Sequence, residues 1–260
     1  MLDAVPLWAF FLGTIVLVLV STEIGHRAGL AAHRAAPNEK SGPASGVSAA
    51  VLGLTAFMLA FAFGSVASRY DARKTLVRED ANAIRTAWAR SEFLPEADRA
   101  ASRRLLVRYL DERIAFAKAT ARYTDDGLAK ARRSSEAMLA QLWNIAVANA
   151  RKDMNSDVAA LYIESLNDVA AINATRIVVG AQMRLPPMIW LALMGLTALG
   201  MAAAGYHAGL VESQRSRLMV VLAVSFALVI VMLAALDRPH GFVHVTQQPL
   251  VDLRHSIPVP

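Results

Sequence analysis

The hydrophobic residues of this chain are concentrated in four uncharged blocks. They are not spread along the chain at the regular spacing of amphipathic helices or strands. The blocks are Ala4–Thr22, Gly46–Ala67, Met188–Tyr206 and Leu218–Leu236. An α-helix rises 1.5 Å per residue, so about 20 residues cross the roughly 30 Å hydrocarbon layer of a bilayer. Each block has about this length. The pattern therefore predicts four transmembrane helices.

The segment between the second and third blocks has a different composition. It is rich in Ala, Arg, Leu and Glu, and between Arg69 and Leu185 its only proline is Pro95 and its only glycines are Gly127 and Gly180. We predict four helices here. The first continues the second span to about residue 93, the next covers about 96–123, the third follows a cap at 124–127 and ends near 151–152, and the fourth follows a cap at 155–157.

These segments define a fold class and four regions. The fold class is an all-α membrane protein, with four transmembrane helices and a helical extramembrane insert between spans 2 and 3. Residues 4–67 hold transmembrane helices 1 and 2, residues 68–185 the insert, and residues 186–236 transmembrane helices 3 and 4. Residues 237–260 form a tail that contains four prolines, and we predict that it is extended.

The net charge of +6 comes mainly from the insert, where 20 Lys/Arg between Arg69 and Arg184 face 15 Asp/Glu. This excess is weak support for nucleic-acid binding, and attraction to anionic lipid headgroups explains it equally well. We expect no nucleic-acid partner. Lys and Arg near the span ends number seven on the insert side and five on the other, so the charge rule leaves the orientation open.

Motifs of enzymes and cofactor sites are missing from the sequence. The chain has no cysteine, which excludes disulfides and Cys-ligated metals, and it has no phosphate loop, HExxH motif or nucleophile elbow. We expect no enzymatic activity, no cofactor and no metal. The four hydrophobic blocks also lack Asp, Glu, Lys and Arg, which argues against a proton-coupled transporter.

The second span carries two kinds of face. Small residues recur every four positions at Ala56, Ala60 and Gly64, a spacing that lets helix backbones approach closely in lipid. About 100° away, Phe57 and Phe61 lie one turn apart, with Ser65 beyond them. One interpretation is ordinary lipid contact or packing. The other is an apolar constriction, formed when several copies of this helix turn their phenylalanines toward a shared axis.

Polar residues continue on one face of the predicted helix beyond the membrane. Glu79, Asn82 and Thr86 are spaced i, i+3 and i+7, which places them on the same side of a helix. Glu79 follows Phe61 by 18 residues, or five helical turns, so an unbroken helix points both the same way. The set forms either a polar seam against another helix or water, or a ring of polar groups along an ion path.

Several stretches resemble an uncharacterised bacterial membrane family usually labelled bestrophin-like. The longest is LGLTAFMLAFAFGSVASRYDARKTLVREDANAIRTAWARSEFLP, at Leu52–Pro95. STEIGHRAG lies at the end of the first span, and SLNDVAAINATR, RLPPMIW, LDRPHGF and QQPL follow in the family's order. The resemblance therefore covers nearly the whole chain.

The family label implies a comparison with true bestrophins, which are pentameric ion channels with four spans per subunit, a cytoplasmic region between spans 2 and 3, and an apolar neck lined by span 2. By position, the resemblance implies that Phe57, Phe61 and Ser65 form the neck. We therefore expect a homo-oligomeric, pentameric ion channel of the bacterial inner membrane, multi-pass, with a cytoplasmic insert. Its partners would be the lipid bilayer, further copies of the chain and a permeating ion of unknown identity. The alternative is a membrane-anchored interaction or regulatory module without a pore.

Overall fold

A computed structural model of the chain describes residues 5–36, 42–118, 125–179, 184–211, 218–238 and 245–258. Throughout these ranges the regular structure is helical, as predicted. The elements are α1 (Leu7–Ala35), α2 (Gly42–Arg90), a 3-10 turn (Ser91–Phe93), α3 (Glu96–Lys118), α4 (Asp125–Ala150), α5 (Asp157–Ile177), α6 (Pro187–Leu210), α7 (Leu218–Asp237) and α8 (Gln248–Ser256).

Four of these helices are long and apolar enough to cross a membrane: α1, α2, α6 and α7. The prediction of four transmembrane helices around a helical insert is therefore confirmed. The structure also extends the first helix to Ala35, although the uncharged block ends at Thr22. Glu23 and Arg27 lie inside α1, where the Arg27 Nε donates to Glu23 Oε1 over 2.7 Å, so the polar end of the block continues as helix.

Helix α2 runs without interruption for 49 residues. It ends because Leu94 precedes Pro95, and a residue before proline is pushed out of helical geometry. Leu94 is extended, with φ −81° and ψ 150°, and its N–H donates to the Ser91 carbonyl to close the 3-10 turn. The predicted break at Pro95 is observed.

The chain divides into two compact units, and α2 contributes to both. Unit 1 comprises Met1–Arg69 and Arg184–Gly241, and unit 2 comprises Tyr70–Met183 and Phe242–Pro260. Unit 1 contains the four spans. One part of its apolar core is formed by α2, α6 and α7, through Leu59, Val66, Leu193 and Leu233.

In unit 1, α1 and α6 cross at glycines. A Cβ built on Gly25 would lie 1.9 Å from the Ala202 carbonyl oxygen, and one built on Gly205 would lie 2.1 Å from the Thr22 carbonyl oxygen. The next glycine along each helix, Gly29 on α1 and Gly209 on α6, makes the same kind of contact. The two backbones therefore touch directly, as small residues at four-residue spacing allow in lipid.

Unit 2 has a core of aliphatic and aromatic side chains from the second half of α2 and from α3, α4, α5 and α8. Its largest fully buried members include Tyr109, Tyr162, Leu142 and Leu253. Helix α5 begins at the predicted cap, since the Ser156 hydroxyl accepts a hydrogen bond from the Ala159 N–H. The predicted cap at Thr124 lies outside the described residues.

The prediction of an extended tail is wrong at Gln248–Ser256, which forms α8. Pro249 does not prevent this helix because it lies in the first turn, where a proline needs no N–H partner. Leu250 and Leu253 are fully buried in the core of unit 2, and Ile257 follows them. Apolar residues at helical spacing therefore outweighed the prolines.

Candidate functional site

The membrane half of α2 packs against the rest of unit 1 along one side only. Its buried stripe consists of Thr55, Leu59, Ala62 and Val66, and the Thr55 hydroxyl donates to the Val51 carbonyl at 2.8 Å and lies 3.2 Å from the Leu196 carbonyl oxygen. These positions recur at three, four and seven residues, which is the spacing of one helical face. The remaining surface of the helix is open to lipid or to another copy of the chain.

The phenylalanine edge lies on this open surface. Phe57 is 65% exposed and Phe61 is 60% exposed, while Ser65 is half-buried. Neither ring contributes to the cores of unit 1. A single chain therefore presents two large aromatic side chains, one turn apart, away from its own helices.

The small-residue stripe of α2 is also open. Ala56, Ala60 and Gly64 are all exposed, and a Cβ placed on Gly64 or on Gly53 would meet nothing within 4 Å. The close crossing that such a stripe allows is therefore made by α1 and α6 within this chain, and not by α2. The α2 stripe remains available for a partner outside the chain.

The predicted polar face of α2 in unit 2 is exposed as well. Glu79, Asn82 and Thr86 all lie on the solvent side of the helix. Val77, Ile84 and Trp88 on the opposite side are buried in the core of unit 2. The three polar residues thus share one face in the structure, and that face makes no contribution to the core.

A buried ionic centre in unit 2 was not predicted from the sequence. Asp80 of α2 is 0% exposed and its Oδ2 accepts from Arg113 Nε at 3.0 Å, from Arg113 Nη2 at 2.8 Å and from Arg176 Nη1. Arg113 Nη1 also donates to Asn173 Oδ1 at 2.6 Å, and Arg176 Nη2 donates to Gln247 Oε1 at 3.0 Å. One carboxylate therefore links α2, α3 and α5, and Arg176 extends the link to the residue before α8.

The electrostatics of this centre follow from its burial. Burial lowers the pKa of Arg176 below its ordinary value, the nearby Arg113 charge lowers it further, and Asp80 opposes both effects. Burial also raises the pKa of Tyr109, whose ring lies under the Arg113 guanidinium at 5.5 Å, to about 12. Tyr109 is therefore neutral at physiological pH, and two buried guanidinium groups share the carboxylate of Asp80.

The sequence contained a signal for this centre. Asp80 lies four residues from both Leu76 and Ile84 and seven from Ala87, so it interrupts the apolar face of α2 with an acidic side chain. An ionised residue on a buried face needs a partner of opposite charge. The spacing of Glu79, Asn82 and Thr86 indicates the exposed face of the same helix.

A second buried carboxylate holds the span ends of unit 1. Asp237 Oδ1 accepts from the Leu185 N–H at 2.9 Å and lies 3.7 Å from Arg69 Nη1, and the Asp237 carbonyl accepts from Arg184 Nη1 at 3.1 Å. The interaction joins α2 and α7 to the start of α6. Over the part of the chain that the structure describes, no cluster of His, Cys, Asp and Glu is suited to hold a metal.

The fold is similar to that of crystallised bacterial bestrophin homologues. One from Klebsiella pneumoniae aligns with a TM-score of 0.62 and 18% sequence identity, over 96% of this chain and 98% of that chain. Two variants of the Klebsiella pneumoniae homologue, each with one mutation, align with TM-scores of 0.61 and 0.63 at 17% identity, over 93% and 94% of this chain and 98% and 100% of theirs. At this identity the likeness concerns the fold alone. No curated protein matches the chain significantly.

A family model provides the sequence evidence that the structural comparison lacks. The model described as a bestrophin-like domain matches residues 10–250, which is most of the 260-residue chain. The match includes nearly all of the first span, the other three spans and the insert. The chain belongs to the bestrophin-like family.

Proposed function

We propose that this protein is a homo-oligomeric ion channel, a pentamer in the bacterial inner membrane, with α2 lining an apolar neck. The observation that carries the proposal is the open phenylalanine edge of α2, where Phe57 and Phe61 are more than half exposed although each lies in the middle of a span. Four spans are too few to enclose a pore, so the proposal requires several copies of the chain around an axis.

The two open faces of α2 suit such an assembly. Phe57 and Phe61 point about 100° away from the stripe of Ala56, Ala60 and Gly64. In a ring of α2 helices, the phenylalanines would face the axis and the small residues would face the neighbouring subunit. Close approach at small residues is favourable in lipid because it increases van der Waals contact between backbones.

Permeation would be passive and would involve no covalent chemistry. A ring of phenylalanines would control the path by wetting and dewetting, since a narrow apolar constriction excludes water and ions until it widens. Ser65 would follow the neck. Glu79, Asn82 and Thr86 would line a vestibule formed by the insert, which would lie in the cytoplasm as in the bestrophins that the chain resembles. The identity of the permeating ion is left open because Glu79 favours cations while the insert is basic overall.

Native mass spectrometry of the purified protein tests the assembly. We expect an oligomer, with five copies as the specific expectation. A monomer or dimer would contradict the channel function. The phenylalanines are tested in planar bilayers, where Phe57→Ala and Phe61→Ala should change the conductance or the open probability. Phe63→Ala is the matched control, because Phe63 lies two residues, or 200°, from Phe61 on the same helix.

The alternative function, a membrane-anchored interaction module without a pore, predicts a different combination of results. A well-folded oligomer that stays silent in bilayers would support the module. Conductance that responds equally to Phe61→Ala and to Phe63→Ala would exclude this module and would contradict the proposed neck, since the current would then not pass along the phenylalanine edge.

A further inference from the structure

Three basic side chains lie on the outer flank of α2 in unit 2. Lys74, Arg78 and Arg85 are exposed, and their spacing of four and seven residues places them on one side of the helix, here called the basic flank. Asp71 lies on the same side, so the flank carries three positive charges against one negative charge. Arg85 forms no ion pair or hydrogen bond with the described parts of the chain. Its exposed guanidinium can therefore bind a group of another molecule.

Helix α5 has an exposed acidic face. Asp157, Glu164 and Asp168 are exposed, and their spacing of seven and four residues places them on one side of the helix, together with the 40% exposed Leu161. Glu164 binds Arg90 at 2.9 Å, yet its side chain remains 64% exposed. Within the described residues, Asp168 has no ionic or hydrogen-bond partner. The same unit thus presents available charges of opposite sign on two helices.

Two contacts within unit 2 show which residues of α2 and α5 lie at the same level. Asp80 of α2 binds Arg176 of α5, and Arg90 of α2 binds Glu164 of α5. The residue numbers rise along α2 while they fall along α5, so the two helices run antiparallel. Arg85 is midway between the two contacts on α2, which puts it level with about residue 170 of α5.

The basic flank and α5 lie on opposite sides of α2. Relative to Glu79, Asp80 is turned about 100° in one direction, into the core of unit 2, and Arg85 about 120° in the other. Helix α5 lies on the side of Asp80, because Asp80 binds Arg176. If Glu79 faces the axis of the proposed channel, each subunit therefore presents Arg85 on one side and α5 on the other.

A ring of subunits would bring these two sides together. Rotation about an axis along α2 keeps every residue at its own level. Arg85 of one copy would then lie about 3 Å along the helix from the level of Asp168 in the next copy, since Asp168 is two residues from position 170. Glu164 is one turn further along the same acidic face.

We propose that the basic flank of α2 binds the acidic face of α5 in the neighbouring copy, with Arg85 of one subunit paired with Asp168 of the next. The inference rests on the proposed oligomer with α2 along its axis, and it adds a contact that no single chain contains. Opposite charges at one level attract, and the contact covers the exposed Leu161. Because the two surfaces differ, the contact is head-to-tail, the kind that closes into a ring and not into a two-fold dimer.

Cysteine cross-linking tests the pairing directly, because the chain has no cysteine of its own. Arg85→Cys and Asp168→Cys are coexpressed as full-length chains with different affinity tags and treated in membranes with a short bis-maleimide reagent. This reagent is preferred to oxidation, because an arginine–aspartate pair separates the two backbones by more than a disulfide spans. We expect a covalent dimer that carries both tags.

The matched control is Asn167→Cys coexpressed with Arg85→Cys. Asn167 is exposed and adjacent to Asp168, but it is turned about 100° away from the acidic face. Equal cross-linking of the two pairs, or none in either, would overturn the proposed contact. If native mass spectrometry shows an oligomer in that case, the channel function is unaffected. A monomer would overturn both proposals.

Charge reversal provides a second, independent test. Arg85→Asp and Asp168→Arg each place like charges at the contact, so each should raise the share of dissociated subunits in native mass spectra about fivefold. The double variant restores opposite charges and should return the share to that of the wild-type protein. Arg104→Asp, at an exposed position of α3, controls for the change in net charge.

The outcomes of the charge reversals separate the proposed contact from other surroundings of the basic flank. If Arg85→Asp leaves the oligomer intact, the flank faces water or lipid headgroups and the proposal is wrong. If Arg85→Asp and Arg104→Asp weaken the oligomer alike, the effect comes from net charge and the proposal is equally wrong. Failure of the double variant to recover the oligomer would exclude the pairing of Arg85 with Asp168.

Discussion

Away from the span ends of unit 1, where Asp237 binds the Leu185 N–H and lies near Arg69, the two units fix their helices by different means. In unit 1, α1 and α6 meet backbone to backbone at Gly25, Gly29, Gly205 and Gly209. In unit 2, side chains fill the space between helices, and a buried carboxylate, Asp80, ties α2 to α3 and α5 through two arginines. The first arrangement depends on the absence of side chains, and the second on charged side chains that are matched in position.

The difference reflects the surroundings of each unit. Inside lipid, apolar burial gives little preference for one helix pairing over another, because the acyl chains are as apolar as the helices. Close backbone contact then selects the partner. Outside the membrane, apolar burial supplies most of the stability, and a buried ion pair adds selectivity at a cost in desolvation. A substitution can remove the glycine crossing or the buried ion pairs separately.

Gly25→Leu should have the largest effect, because it breaks the crossing of unit 1. A Cβ at this position already lies 1.9 Å from the Ala202 carbonyl oxygen, so the crossing has no room for a side chain. We expect a loss of more than about 4 kcal/mol of stability, seen as failure to recover a monodisperse protein on size-exclusion chromatography. Gly13→Leu on the same helix is the control, since a Cβ there meets nothing within 4 Å. Similar yields for the two variants would show that the crossing does not hold unit 1 together.

The crossing shows what the sequence could and could not predict. The four spans and the break at Pro95 follow from local properties, namely hydrophobic length and the geometry before proline. The choice between two small-residue stripes is not local. Gly25 and Gly29 have the same four-residue spacing as Ala60 and Gly64, and only the fold reveals that α6 offers a matching pair of glycines.

The candidate site likewise contains some features that local sequence patterns predict and others that only the fold reveals. That Glu79, Asn82 and Thr86 share a face follows from helical periodicity alone. The arginine partners of Asp80 are 33 and 96 residues distant in sequence, so no local pattern identifies them. Helix α8 does not follow from the sequence of the tail, where prolines disfavour a helix; the core of unit 2, in which Leu250 and Leu253 are buried, stabilises it.

Asp80→Asn should have the next largest effect, since it breaks the buried centre of unit 2. The variant keeps the size of the side chain but removes the negative charge that Asp80 places between two buried guanidinium groups. We expect a loss of about 3 kcal/mol, at the lower end for broken buried ion pairs because the amide oxygen still accepts a hydrogen bond. Chemical denaturation of the purified protein measures it. Asp71→Asn, at an exposed position of the same helix, should change the stability little; equal losses would contradict a special role for the centre.

Gly64→Leu compares the two small-residue stripes of unit 1. It changes the stripe of α2, which is exposed in the single chain, whereas Gly25→Leu changes the crossing of α1 and α6. A Cβ at Gly64 meets nothing within 4 Å, so the variant should fold normally. If the stripe lies against a neighbouring subunit, a leucine there should separate the helices and weaken the oligomer. Native mass spectrometry should then show a larger share of dissociated subunits than for Gly13→Leu. An unchanged oligomer would mean that the α2 stripe faces lipid.

Glu92→Gln should have the smallest effect on stability. It compares an exposed ion pair of unit 2 with the buried ion pairs of Asp80. Glu92 is exposed and binds Arg103 Nη2 and Arg99 Nη1, each at 2.5 Å. The hydrogen bond from Arg103 and the charge of Arg99 hold the pKa of Glu92 below its ordinary value of 4.5. Because the pKa is lower in the folded protein, the ionised carboxylate stabilises the fold above pH 4.5, and this contribution is lost as the pH falls through the folded-state pKa.

The wild-type protein should therefore be slightly more stable than Glu92→Gln at pH 7, by much less than the effect of Asp80→Asn, since water screens an exposed pair. The difference should vanish in acid, where both side chains are neutral. Pairing Glu92→Gln with Arg99→Gln in a double-mutant cycle isolates the ionic coupling from other contacts of each residue. A coupling that stays constant after acid has protonated Glu92 in the folded protein would show that these contacts act through packing. A coupling as large as the loss in Asp80→Asn would contradict the distinction between the exposed and the buried carboxylate.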